Sequence, residues 1–225
     1  MADEDETRRV EVIEHGPYRV SGGLGLVRTA QVETEYGEPV DWEPDDPIPT
    51  RTAEYDLCRC GNSSRKPFCD ATHERIPFDG AEVADRGTYD ERAYPYRGGE
   101  LTMNDDVSVC TTAGYCGDRF RNVWAMIADA ADPAVAERIR LMSKLCPSGR
   151  LVTQPDGVAE RDEIAYEPAV AVIDNGPIWV RGGVRVVAAD GEPYEVRNRQ
   201  TLCRCGQSQN KPFCDGSHKE FGFEG

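Results

Sequence analysis

Histidine is scarce in this chain of 225 residues: His15, His73 and His218 are all there is. Two of the three stand inside cysteine-rich runs, which leaves His15 as the only one outside them. No G-x-S-x-G, H-E-x-x-H or P-loop pattern is present, and Gly22-Gly23-Leu24-Gly25 is too short and wrongly placed for a dinucleotide fingerprint. Nothing therefore points to a substrate pocket, and the expectation is a protein that is not an enzyme. No apolar run approaches ~20 residues, so no membrane span is expected. The stretch from Met1 to Arg9 is acidic and lacks an apolar core, which reads as no signal peptide. Basic residues are outnumbered, 26 against 41 acidic ones, and the net charge of −15 argues against nucleic acid or an anionic membrane as partner. Such an acidic surface also fits a high-salt cytoplasm. The cysteines number nine, an odd count that works against a complete disulfide framework, so a reducing, cytoplasmic setting is expected.

Those cysteines fall into three triplets. Cys58, Cys60 and Cys69 are followed by His73; Cys203, Cys205 and Cys214 are followed by His218 at the same spacing, C-x-C-x8-C-x3-H. The third triplet, Cys110, Cys116 and Cys146, lies between them. Thiolate and imidazole suit zinc or iron–sulfur better than magnesium or calcium. Zinc knuckles usually read C-x2-4-C. A C-x-C pair with a separate Cys–His pair suits a [2Fe–2S] cluster, in which each iron needs two protein ligands. Spacing alone leaves both metals open.

The wording around the ligands carries a resemblance. The second run has Cys203, Cys205, Ser208, Pro212, Cys214, Asp215, Gly216, Ser217 and His218, and so resembles the CDGSH iron–sulfur domain of the NEET family at every signature position. The first run matches at Cys58, Cys60, Ser63, Pro67, Cys69, Asp70 and His73, but carries Ala71 and Thr72 where the signature has Gly-Ser. The resemblance implies a [2Fe–2S] cluster in each motif, with histidine on the outer iron. Asp70 and Asp215 read as helix N-caps that set each histidine in the following turn, where amides and the helix dipole favour an anionic cluster. Arg59, Lys66, Arg204 and Lys211 are read either as solvated surface or as cluster or partner electrostatics.

The repeat extends upstream. Val12 to Leu24 parallels Val172 to Val184, each with a Gly-Pro turn and a Gly-Gly turn between short apolar strands. His15 aligns with Asn175 and reads as an exposed turn residue. The first copy also carries a Pro- and acid-rich insertion at residues 43–49, read as a surface loop. The expected fold class is α+β. Two β-rich units, residues 1–78 and 165–225, would form an intramolecular pseudo-dimer with a shared β-cap, as the family's homodimers do. A small ferredoxin-like α+β insert over residues 94–153 would separate them, after a charged linker at 74–92.

That insert shows a strand-like run from Tyr96 to Met103, then Cys110 and Cys116, then Phe120, Val123, Trp124 and Ile127 at helical spacing behind Asp118. Asp132-Pro133 opens a second helix with Val135, Ile139, Met142 and Leu145 on its apolar face, and Cys146-Pro147-Ser148-Gly149 follows. The pattern resembles the divergent single-cluster 4Fe–4S domain. Ala113 stands where a bacterial-type ferredoxin has its middle cysteine. The expectation is a [3Fe–4S] cluster on Cys110, Cys116 and Cys146. The alternative is a [4Fe–4S] cluster completed by Thr111, Thr112, Asp118 or water. The chain is thus expected to be a monomeric electron-transfer or redox-sensing protein acting on a redox partner. An alternative is a cluster carrier serving an apo-acceptor, and a third is a structural zinc protein.

Overall fold

The computed structural model describes residues 7–225; residues 1–6, on which most of the signal-peptide reading rests, lie outside the described residues. In chain order the strands are β1 (Arg9–Val12), β2 (Tyr18–Ser21), β3 (Gly25–Thr29), β4 (Gln31–Glu33), β5 (Pro39–Trp42), β6 (Asp46–Pro47) and β7 (Tyr55–Leu57). The middle segment supplies β8 (Tyr94–Gly98), β9 (Leu101–Asp105) and β10 (Leu151–Pro155). The last are β11 (Ala169–Ile173), β12 (Ile178–Arg181), β13 (Arg185–Val187) and β14 (Arg199–Leu202). Helices are few and short: α1 (Tyr89–Arg92), α2 (Val123–Met126), α3 (Pro133–Leu145) and α4 (Ser217–Glu220). The molecule is mixed α and β, built mostly from small sheets.

Each repeat lends a strand to the other. One sheet runs β13-β1-β2-β7 and another β14-β12-β11-β3-β6. Thus β13 lies parallel to β1, with Val10 opposite Val186, and β3 lies parallel to β11, with Leu26 opposite Val170. Parallel neighbours need a crossover between them, and here the Gly-Gly turns let the third strand of each repeat leave its own hairpin. The inward residues of both repeats make one core: Val10, Val12, Tyr18 and Val20 from the first pack with Val170, Val172, Ile178 and Val180 from the second.

The two sheets differ in how they are covered. In β1 and β2 buried and half-buried residues alternate, the signature of a strand with one wet face. β12 and β14 are buried along their whole length. A second layer covers them, containing Trp42, whose ring centroid lies 4.8 Å from that of Trp179, and Tyr166.

The middle segment is an antiparallel sheet, β10-β9-β8, under α3. Asp132 caps α3 by accepting from the Ala134 amide at 2.8 Å, and Pro133 stands at its first turn as expected. Ile139 and Leu145 are buried, while Val135 and Met142 are half-buried against the Leu101, Met103 and Val123 cluster.

Several details differ from the sequence reading. Helix α2 is capped by Asn122, whose side chain accepts from Ala125 N; Asp118 closes the preceding turn instead, and Phe120 is 81% exposed. Phe120 lies outside the helix, so its spacing carries no face information. The segment 74–92 is not a bare linker: a capping box at Thr88 starts α1, and Tyr89 is fully buried. The insertion at 43–49 is exposed for most of its length, yet β6 within it pairs with β3 and Asp45 bonds Arg181.

Candidate metal centres

In each CDGSH-like run the four expected ligands arrive as two pairs. Cys58 and Cys60 sulfurs are 3.8 Å apart, and Cys69 Sγ is 3.5 Å from His73 Nδ1. In the second run the separations are 3.7 Å for Cys203 and Cys205, and 3.4 Å for Cys214 and His218 Nδ1. Among the described residues no three such side chains converge on a single ion position. A donor set of two separate pairs fits two irons better than one tetrahedral zinc.

Local backbone geometry supports the thiolates. The amide of Ala71 points at Cys69 Sγ and that of Gly216 at Cys214 Sγ, both at 3.4 Å. The Cys60 thiol, with the amides of Ser63 and Gly61, lowers the Cys58 thiol, while the Cys60 proton is held more tightly. Cys203 is lowered in the same way by Cys205 and the amides of Ser208 and Gly206. The amides that point at Cys58 and Cys203 favour the thiolate, the form that binds metal.

Asp70 and Asp215 act one position earlier than expected. The caps proper are Ala71 and Gly216, both in the left-handed region, while the carboxylates accept from Thr72 N and Ser217 N. The turns that follow are a single turn long, so their effect is that of a few local amides and not of an extended dipole.

Three of the four flanking cations are not solvated surface. Arg59 is 1% exposed and donates to the carbonyls of Ile13 and Gly80. Arg204 is 2% exposed and donates to Gly176 O and Ile173 O, and Lys211 donates to Ser208 O. These buried cations bind the turns of each repeat to its motif, and Lys66 alone is half-exposed. His15 takes a positive φ like its counterpart Asn175, and its Nδ1 accepts from the Gly80 amide.

The two motifs meet back to back. A Cβ on Gly61 would lie 2.4 Å from Cys205 O, and one on Gly206 would lie 2.7 Å from Cys60 O. Only glycine permits this approach. Tyr18, from the first repeat, donates to Cys203 O at 2.8 Å and to Pro212 O at 3.0 Å in the second. Sequence reading missed Tyr18 because its spacing is that of an ordinary core residue.

The middle triplet is gathered by groups outside it. Burial raises the Cys116 thiol, and the neighbouring Cys146 and Cys110 raise it further. The Arg150 guanidinium is held by Asp105, Nε to Oδ1 at 2.6 Å, and faces Cys110 as well. From the second repeat, Arg199 is 1% exposed and donates to the carbonyls of Ser143, Lys144 and Cys146 at 2.8, 2.8 and 2.6 Å, and also to Glu163. A guanidinium fits there because carbonyls at a helix end retain free acceptor capacity, even though Ser143 O and Cys146 O also accept from the Cys146 and Gly149 amides.

The candidates for a fourth ligand fare unequally. Asp118 accepts from the amides of Phe120 and Arg121 and pairs with Arg138. Thr112 donates to Thr111 O. The oxygen that does lie beside a cysteine sulfur is that of buried Ser148, 3.5 Å from Cys146 Sγ, which sequence reading had not singled out.

The middle triplet adjoins the second motif and not the first. Thr112 fills the space that Gly216 leaves: a Cβ there would meet Thr112 Cγ2 at 2.6 Å. Asn210 donates to Ser108 O, and Cys110 lies close enough to raise the Cys214 thiol, although burial is the larger cause. Gly216 in the second motif against Ala71 in the first therefore has a local reason.

A family profile described as iron-binding zinc finger, CDGSH type, matches residues 15–74 and again 175–219. One described as divergent 4Fe–4S mono-cluster matches residues 96–156. Neither a curated protein nor a solved structure matches the chain significantly. No helix among the described residues is long and apolar enough to cross a membrane. With both sets of Cys–Cys and Cys–His pairs inside the matched segments, the chain carries two CDGSH-type iron-binding segments flanking a divergent 4Fe–4S mono-cluster domain.

Proposed function

We propose that the chain is an electron-relay protein with three cluster sites in a row. Cys58, Cys60, Cys69 and His73 would hold one [2Fe–2S] cluster, and Cys203, Cys205, Cys214 and His218 a second. Cys110, Cys116 and Cys146 would hold a [3Fe–4S] cluster, or a [4Fe–4S] cluster if an oxygen fills the fourth corner. When bound, such clusters supply one-electron redox chemistry. The observation that carries this reading is contiguity: Thr112 packs on Gly216 between the middle and second sites, and Gly61 packs on Cys205 between the second and first.

The reciprocal strands and common core support a further reading, that the two repeats form an internal pseudo-twofold pair under one β-cap. The chain would then be a monomer that exchanges electrons with a separate redox protein. Light scattering on a sizing column tests this, and a stable homodimer with well-separated halves in each chain would sink it.

Iron and acid-labile sulfide per chain, with EPR of the oxidised and reduced protein, test the relay itself. The expected oxidised spectrum contains a [3Fe–4S] signal that Ala113→Cys converts to a [4Fe–4S] form. Colourless protein loaded with zinc would end the proposal. A cluster-carrier role is the second reading, favoured by the half-exposed Cys69 and His73. Transfer of clusters to an apo-ferredoxin under physiological reductant separates it from the relay.

A further inference from the structure

Cys146-Pro147-Ser148-Gly149 turns the chain back directly after α3. The turn is closed by Gly149 N on Cys146 O at 3.2 Å, at a glycine whose φ is 63°. Two arginines of the second segment hold it from outside: Arg199 donates to Cys146 O and Arg197 to Gly149 O, both at 2.6 Å. Ser148, at its corner, is 2% exposed. Gln200, Thr201 and Phe213 of the second segment line the space of about 20 Å³ beside it.

A serine hydroxyl has one proton to donate and two lone pairs with which to accept. Ser148 Oγ accepts from the Arg150 amide at 3.3 Å, and Cys146 Sγ, 3.5 Å away, stands ready to receive its proton. The signature serines of the two CDGSH-type segments are turned elsewhere, Ser63 to Phe68 O and Ser208 to Phe213 O, each at 2.7 Å. Cys69 and Cys214 receive backbone amides instead. The middle site also has a fixed cation. Arg150 bonds both carboxylate oxygens of Asp105, at 2.6 and 3.0 Å, and lies 5.0 Å from the Trp124 ring centroid. Trp124 Nε1 donates to the same carboxylate, so the guanidinium is held in place beside Cys110.

We infer that Ser148 raises the reduction potential of the middle site, its hydroxyl donating to Cys146 Sγ and so favouring the reduced cluster. The inference rests on the relay reading, in that Cys146 holds a cluster, and names a residue that makes this site a better electron acceptor. Reduction adds one electron to a centre whose thiolates already carry negative charge. A donor aimed at a ligand sulfur disperses part of that charge, and hydrogen bonds to the sulfurs are among the factors that set cluster potentials. Burial adds to the effect, because a hydrogen bond is electrostatically stronger away from bulk water. No proton moves in the step: the electron comes from an external reductant and the hydroxyl keeps its hydrogen. Arg150 acts in the same direction as a charge beside Cys110, whereas Ser148 acts on Cys146 by direct contact.

The test uses the full-length, cluster-loaded protein, with dithionite as reductant and the EPR signal of the middle site followed against potential. Ser148→Ala should lower its midpoint by about 59 mV, a tenfold shift in a one-electron equilibrium, and leave both CDGSH-type sites unmoved. Ser148→Thr keeps the hydroxyl and should stay close to the parent value. Ser208→Ala, which removes a hydroxyl bonded to a carbonyl, should not move the middle midpoint. After exchange into heavy water, pulsed EPR should show a deuteron coupled to the middle cluster that Ser148→Ala loses and Ser148→Thr keeps. An unchanged midpoint in Ser148→Ala, an equal fall in Ser148→Thr, or no such deuteron in the parent protein would overturn the inference. So would a changed iron count or EPR type at this site in Ser148→Ala, since Ser148 would then be an iron ligand and not a donor. Iron and sulfide analysis judges the relay separately. A middle triplet without iron removes both readings, whereas a loaded triplet with an unmoved midpoint removes this one alone.

Discussion

The first and second CDGSH-type segments share ligands, spacing and backbone geometry, yet one is nearly enclosed and the other open. His218 is 5% exposed, and Cys214 and Gly216 are buried; His73, Cys69 and Ala71 at the matching positions are all half-exposed. The cause is not in the motifs. It is the way the 4Fe–4S-type domain packs. It lies over the motif of the second segment, with Thr112 against Gly216 and Asn210 bonded to Ser108 O, whereas on the first segment it meets only the β4–β5 region away from the motif, where Tyr115 donates to Asp41 O and Trp42 to Leu145 O. Two near-identical ligand sets thereby acquire different solvent access, and burial and solvent exposure are among the factors that set cluster potentials. In the proposed relay the enclosed site would serve internal transfer and the open one exchange with the outside.

Arg199 is the sharpest point of the comparison, since its counterpart in the first segment is the exposed Glu54. Arg199→Leu would remove one donor from each of the Ser143, Lys144 and Cys146 carbonyls and from Glu163, although Ser143 O and Cys146 O keep the amides of Cys146 and Gly149, and Glu163 keeps Asn198. Losing hydrogen bonds from a buried charged donor costs about 1.5–3 kcal/mol. Urea denaturation should show a loss of that order, with the middle cluster lost first in metal analysis. Glu54→Ala should change stability by no more than about 0.5 kcal/mol. Comparable losses in both variants would remove the asymmetry.

A smaller effect is expected where the segments differ by a methyl. Gly216→Ala would drive a Cβ to within 2.6 Å of Thr112 Cγ2 at a residue whose φ is 89°. Overpacking costs about 1–3 kcal/mol, and Thr112→Gly in the same background should recover part of it. Ala71→Gly works the other way. It relieves a left-handed alanine, worth about 1–2 kcal/mol, and adds about 0.5–1 kcal/mol of chain entropy cost. The expected outcome is stability unchanged or slightly raised. If Gly216→Ala is as mild as Ala71→Gly, Thr112 does not set the seam.

Tyr18→Phe tests the tie between the repeats themselves. Its hydroxyl serves Cys203 O and Pro212 O, and Pro212 O retains a second donor in the Cys203 amide. One buried hydrogen bond contributes about 1 kcal/mol, so a stability loss of that size is expected by urea denaturation. An unchanged midpoint would show that the strand exchange alone holds the repeats together.

The pairing of Cys58 with Cys60, Cys69 with His73, and their counterparts was legible because cysteine and histidine are rare enough for their spacing to carry information. The hairpins of both repeats were legible from Gly-Pro and Gly-Gly turns, and α3 from its Asp132-Pro133 start. The exchange of β3 and β13 was not, because alternating valines in β1 and β11 specify a face and not a partner. The burial of Arg59, Arg199 and Arg204 was equally hidden: an arginine in sequence reads as surface until the carbonyls it serves are known. Thr112 gave no signal of its own, although the change from Gly216 to Ala71 pointed at the place where its contact lies. Asp118 misled because it caps a turn ahead of α2, which belongs to Asn122.

The smallest expected difference lies in acid behaviour, and its direction follows from burial. Desolvation, with Lys219 and Arg204 nearby, lowers the His218 imidazole from 6.5 to about 4. Between those values the unfolded chain takes up a proton that the folded chain does not. The stability this histidine contributes is therefore complete above pH 6.5 and is lost as pH falls through about 4. A neutral imidazole is also the form that binds metal, so burial protects the second site over the same range. The first site lacks that enclosure. With the other motif disabled by Cys→Ser, cluster loss followed by visible absorbance at pH 5 should be a few-fold faster from the first site than from the second. His73→Cys should slow loss from the first site more than His218→Cys slows it from the second, since the exposed ligand has more to gain from a thiolate. Equal rates at both sites would mean that the covering domain encloses His218 without altering how its metal site meets acid.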